Sequence, residues 1–203
     1  MFNDHYDEWR AKRIAAIENH YGTEFFKGRT LLEIGCGYGD IGAYFERLGA
    51  IVTCSDAREE HLARCSQLHP NVTTLCVDLD KEWPFQKYDI ILHMGVLYHL
   101  KDYKATIKKA FDSCDHLALE TEVLNTTETK AVSTNEDGYD QAFNGVGVRP
   151  SPKAVEETLD ECGFTYEMIT DNRCNSRFHI YDWEVDDSGV WKHGLRRFWF
   201  CKK

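Results

Sequence analysis

Short apolar runs alternate along the first 125 residues with stretches whose apolar positions recur at helical spacing. The first run is Leu31, Leu32 and Ile34, interrupted by Glu33, and it breaks into glycines at positions 35, 37 and 39. That pattern predicts a buried strand entering a tight turn. From Asp40 to Leu48 the spacing becomes helical, with Ile41, Tyr44, Phe45 and Leu48 on one face. Further strands are predicted over Ile51–Ser55, Val72–Val77, Tyr88–Met94 and Leu117–Val123, with helices over Arg58–Gln67 and Tyr103–Phe111. Upstream, His5–Tyr21 reads as a helix with Trp9, Ala16, Ile17 and Tyr21 as its apolar stripe and Gly22 as its stop. Strand and helix alternating through this half specify a parallel sheet covered by helices on both faces.

The rhythm breaks at Asn125–Pro150, a polar stretch rich in Thr, Asn and Gly that reads as one long loop carrying Tyr139, Gln141, Phe143, Asn144 and Arg149. Loops of that length are functional or unstructured. Beyond it come a helix over Pro152–Cys162 capped by Ser151, a strand over Phe164–Ile169, an extended segment at Phe178–Val185, a turn at Asp186–Gly189 and a closing strand at Arg196–Cys201. Extended segments joined by a short turn suggest an antiparallel edge. The expected fold is α/β: one domain over residues 1–203 with a Rossmann-like, doubly wound, mostly parallel sheet of seven strands and an antiparallel C-terminal edge.

At 203 residues and 42% hydrophobic, the chain can bury one sizeable core. Its net charge of −10 argues against a broad phosphate-binding face, though it does not exclude nucleic acid. No apolar stretch spans a membrane, and the polar N-terminus lacks the apolar core of a signal peptide, so a cytosolic location is expected. The eight cysteines form no C-x-x-C, which predicts buried, reduced thiols and no metal site.

The glycines between strand and helix bring backbone close to a ligand. They fit two frames. Gly37, Gly39 and Gly42 match the G-x-G-x-x-G of a dinucleotide site. Glu33, Gly35, Gly37 and Gly39 form the other, with an acidic residue two before the first glycine. Asp56 ends the second strand, about 20 positions beyond the glycines, where a carboxylate can accept ribose hydroxyls. Asp78 with Leu79, and His93 with Met94, follow at the ends of the third and fourth strands, the edge at which open parallel sheets bind ligands.

Taken together, LLEIGCGYG, VTCSDA, VDLDKEWPF and YDIILHMGVLYHL resemble the class I S-adenosylmethionine-dependent methyltransferases across most of the chain. The resemblance implies S-adenosylmethionine as cofactor. Gly35, Gly37 and Gly39 would pass beneath its methionine and ribose, with Glu33 supporting the turn. Asp56 would hold the ribose, Ala57 and Leu79 would flank the adenine, Asp78 would meet its amino group, and His93 and Met94 would line the methionine end. The N-terminal helix would cover the ligand. The Leu-Tyr-His after the fourth strand resembles enzymes that modify the wobble uridine of transfer RNA with a carboxylated cofactor, but no basic helical extension accompanies it. That leaves both the acceptor and a carboxylated cofactor open. No D-P-P-Y or N-P-P-Y follows the fourth strand.

His99 is the first expected base, histidine being the residue type that exchanges protons near neutrality. Glu120 is the second. Tyr98 and Arg149 are expected to contact the acceptor, for which a small polar metabolite or saccharide is favoured. An RNA-modifying methyltransferase, an NAD-dependent oxidoreductase and a non-catalytic cofactor-binding module are the competing readings. Oligomeric state has no signature in the sequence.

Overall fold

The computed structural model describes residues 4–138, 141–189 and 194–203. Five strands, β1 (Thr30–Ile34), β2 (Ile51–Asp56), β3 (Thr73–Cys76), β4 (Tyr88–Met94) and β5 (Cys114–Glu122), run parallel. Helices α2 (Asp40–Arg47), α3 (Glu59–Leu68) and α4 (Tyr103–Ser113) follow β1, β2 and β4, while β3 leads to β4 without one. The N-terminal helix α1 is Asp4–Tyr21; α5 (Pro152–Cys162) precedes β8 (Thr165–Met168) and β9 (Arg196–Lys202). The seven-stranded sheet has the order β3-β2-β1-β4-β5-β9-β8. β9 lies antiparallel to both of its neighbours, β5 and β8. None of the described helices is long and apolar enough to cross a membrane.

The apolar runs are continuous because both sheet faces are buried. Along β4, Ile90, Leu92 and Met94 face the core shared with α1, α2 and α3, while Ile91 faces the core shared with α4 and α5. Ser151 caps α5 by accepting the Ala154 amide, and Asp102 caps α4 in the same way through Ala105. Gly163 closes α5 in the left-handed region.

Two expectations about the second half fail. Asn125–Pro150 is not one irregular loop. It contains β6 (Ala131–Asn135) and β7 (Val146–Pro150), paired antiparallel from Ala131↔Pro150 to Asn135↔Val146 as a separate two-stranded sheet. Their β-branched residues, Val132, Thr134, Val146 and Val148, sit within a composition that reads as loop. Conversely, Phe178–Val185 is not a strand: it makes one isolated bridge, Ile180↔Leu195. Side chains hold its backbone instead, with Asn175 accepting the Tyr181 amide and Arg197 donating to the Tyr181 and Trp183 carbonyls. The antiparallel edge therefore arises from β9 inserting between β5 and β8, not from a hairpin at 186–189.

Candidate active site

The turn after β1 needs its glycines. Gly35, Gly37 and Gly39 have φ of 63°, 55° and 76°, the left-handed region that side chains disfavour. A Cβ on Gly35 would meet Val96 Cγ2 at 1.9 Å. Two buried carboxylates hold the turn. Glu33 Oε2 accepts the Gly42 amide at 2.8 Å, and Asp56 Oδ2 accepts the Gly37 amide at 3.0 Å. Asp56 Oδ1 also accepts the Arg58 amide and lies 3.3 Å from His61 Nδ1. Burial, against the Gly42 hydrogen bond, pushes the Glu33 carboxyl up to about 7. Gly42 thus serves the packing of α2 on β1 and β2, since a Cβ there would meet Cys54 Sγ and Glu33 Oε2, each at 2.8 Å.

A cavity of about 190 Å³ opens above this turn. Its floor contains Glu33, Gly35, Cys36 and Gly37. Along the strand ends stand Asp56 and Ala57, then Asp78 and Leu79, then Met94, Gly95 and Val96. Helix α1 supplies Tyr6, Trp9, Arg10 and Arg13 to the cavity lining. Gln141, Phe143 and Asn144 of the β6–β7 connection close another side; Tyr139 lies outside the described residues. Asn144 donates to both Asp78 oxygens, at 3.1 and 3.3 Å. Burial works against the Asp78 carboxylate, but Lys81 at 2.9 Å and Asn144 outweigh it and hold its pKa below the ordinary value. Gly39 stands behind the wall as the N-cap of α2.

Tyr98 and His99 border the cavity from a short 3-10 turn, Leu97–His99. His99 Nδ1 is 2.5 Å from Glu136 Oε2. Burial would raise the Glu136 pKa, but His99 and Arg149 bring it down to about 2, so this carboxylate stays ionised. Burial pushes the Tyr98 hydroxyl up to about 12, which keeps it neutral.

Besides Gly39, three expected site residues are not on the cavity wall. His93 is fully buried, because strand alternation turns it to the face opposite Met94, among Ile34, Ile91 and Leu119. Neither of its ring nitrogens has a hydrogen-bond partner among the described residues. Burial depresses its pKa to about 4, so it is a neutral core residue rather than a lining of the methionine end. Glu120 is not a base for the acceptor. It is fully buried, accepts from Arg196 and from Tyr181 at 3.1 Å, and faces Arg13 at 3.6 Å. Arg149 is 3% exposed and spans Glu122 (2.8 Å), Glu136 and the Tyr98 carbonyl (2.8 Å), so its charge is spent inside the fold.

Two residues absent from the sequence reading matter here. Arg13 stacks its guanidinium 3.6 Å from the centre of the Trp9 ring and faces the cavity. Its spacing of four from both Trp9 and Ile17 was the available signal. Glu136 had none, because only the β6–β7 hairpin brings it to His99.

A model of the methyltransferase domain matches residues 6–169, most of the chain. The tRNA U34 carboxymethyltransferase of Shewanella baltica is 29% identical over 172 residues, covering 78% of this chain and 50% of that protein. The chain spans about half the length of the curated relatives first matched. Among solved structures, the N-terminal domain of EvdMO1 with S-adenosylhomocysteine bound superposes with a TM-score of 0.72 at 16% identity, covering 96% of this chain and 80% of that one. The 1,6-didemethyltoxoflavin-N1-methyltransferase of Burkholderia thailandensis, with its acceptor and S-adenosylhomocysteine bound, gives 0.60 at 18% identity, covering 96% and 77%. At such identities the structural likeness shows the fold. The family model decides between the two glycine frames, against the dinucleotide reading: the chain belongs to the class I S-adenosylmethionine-dependent methyltransferases.

Proposed function

We propose that this chain transfers a methyl group from S-adenosylmethionine to a small polar acceptor, a metabolite or a saccharide. The observation that carries this reading is one cavity with two unlike sides. The glycine turn and the carboxylates of Asp56 and Asp78 form one, and the His99–Glu136 pair with the β6–β7 connection forms the other. The residues suit the cofactor. The turn leaves backbone without side chains at Gly35 and Gly37, and each Asp56 oxygen keeps a lone pair beyond its amide bond. Ala57 and Leu79 would flank the adenine, Asp78 would meet its amino group, and Met94 would border the methionine end.

The bound cofactor supplies a methyl group already activated on a sulfonium, so the protein's work is alignment and exclusion of water. Helix α1 and residues 141–144 roof the cavity, which favours an acceptor that can be enclosed. Glu136 accepts a hydrogen bond from the Nδ1–H of His99 and fixes the ring, leaving Nε2 to accept a proton from an acceptor hydroxyl. An amine acceptor would not need that step.

The alternative acceptor is RNA, favoured by the 29% identity to the Shewanella baltica tRNA enzyme. The net charge of −10 weighs against it. Incubation with S-adenosylmethionine and, in parallel, pools of hydroxylated or aminated metabolites, saccharides and total tRNA, with S-adenosylhomocysteine as readout, tests the proposal. Turnover with tRNA alone would overturn the acceptor class. No turnover and no calorimetric binding of S-adenosylmethionine would overturn the activity.

A further inference from the structure

Three thiols to which the proposed transfer assigns no role meet at the glycine turn. Cys36 belongs to the turn, Cys54 to β2 and Cys65 to α3, and their sulfurs all lie within 4.8 Å of one another. Cys54 and Cys65 are fully buried, while Cys36 reaches the cavity wall. The backbone makes room for them, since a Cβ on Gly39 would lie 2.3 Å from Cys65 Sγ. Two oxygens adjoin the group: Glu33 Oε2, 3.5 Å from Cys54 Sγ, and the Gly37 carbonyl, 3.5 Å from Cys36 Sγ. No C-x-x-C announces the cluster, because its three members come from three successive elements of the α/β unit.

We propose that Cys36, Cys54 and Cys65 form a three-thiolate site for a soft, thiophilic ion, Cu⁺ or Zn²⁺. Thiolates select these ions over hard cations. A metal–sulfur bond of about 2.3 Å places three sulfurs around one ion about 4 Å apart, inside the spacing seen. Cu⁺ is satisfied by three sulfurs. Zn²⁺ takes a fourth donor, which the Glu33 carboxylate or a water entering from the cavity beside Cys36 can supply. Binding replaces three thiol protons by one cation, and nothing is oxidised or reduced. The buried cluster is thereby distinguished from Cys76, the exposed cysteine of β3.

The test titrates the reduced, metal-free chain with Cu⁺ against a chromophoric Cu⁺ chelator, and separately with Zn²⁺ against a chromophoric zinc chelator. One equivalent of at least one ion should be retained. Cys65→Ser should weaken retention more than ~100-fold, beyond the roughly 10–100-fold that loss of an outer partner of a ligand costs, while Cys76→Ser should leave it unchanged. X-ray absorption at the metal edge of the loaded wild-type chain should show three sulfurs, alone for Cu⁺ and with one oxygen or nitrogen for Zn²⁺. This spectrum decides the matter even if Cys65→Ser fails to fold. Failure to retain either ion, fewer than three sulfurs, or a folded Cys65→Ser that binds like the wild type would overturn the site.

Discussion

Gly35→Ala tests the glycine turn through a clash that can be relieved on purpose. Gly35 sits at φ 63°, where an L side chain costs about 1–2 kcal/mol. The three nearest atoms to the added Cβ all belong to Val96: Cγ2 at 1.9 Å, Cβ at 3.2 Å and Cγ1 at 3.4 Å. Valine is stiff about χ1, so it cannot swing away freely. Overpacking of this kind costs about 1–3 kcal/mol. The sum, about 2–5 kcal/mol, is a large part of the 5–15 kcal/mol typical of a domain, and the displaced wall should also abolish S-adenosylmethionine binding. Val96→Ala removes Cγ1 and Cγ2. In a double-mutant cycle followed by urea unfolding, Gly35→Ala/Val96→Ala should recover about 1–3 kcal/mol relative to the sum of the single variants. The backbone strain should remain. A Gly35→Ala variant within about 0.5 kcal/mol of wild type, or a cycle with no coupling, would refute the reasoning.

Asp56→Ala should weaken S-adenosylmethionine binding by about 1–3 kcal/mol through lost hydrogen bonds to a charged acceptor, and unchanged calorimetric affinity in the folded variant would remove the ribose role. His99→Ala should lower turnover on a hydroxyl acceptor more than cofactor affinity; wild-type turnover would end its assignment as base. The folded state holds His93 at about 4 against an ordinary 6.5, so the unfolded chain binds that proton first as the pH falls. The stability this confers is complete above 6.5 and is lost toward 4, at most about 3 kcal/mol. His93→Leu should therefore flatten the acid limb of stability measured by urea unfolding, and an unaltered limb would mean that other groups carry it.

The α/β alternation, the strand ends and the glycine turn are all legible in the order of the residues. Each depends on local physics: apolar period, chain reversal at positive φ, and caps such as Ser151. Residue order therefore also placed Asp56, Asp78 and Met94 along the cavity, since they lie at or just beyond strand ends and need only the sheet's polarity to converge. The tertiary structure alone decided which side chains near those ends are available. Glu120 and Arg149 look like reactive groups in one dimension, yet Arg196, Arg13, Glu122 and Glu136 neutralise them in the fold. His93 is set apart from Met94 by one step of strand alternation. Glu136 reaches His99, and Cys36, Cys54 and Cys65 reach one another, only through long-range packing, and no spacing along the chain encodes such contacts because the distances are set by how helices and hairpins settle on the sheet.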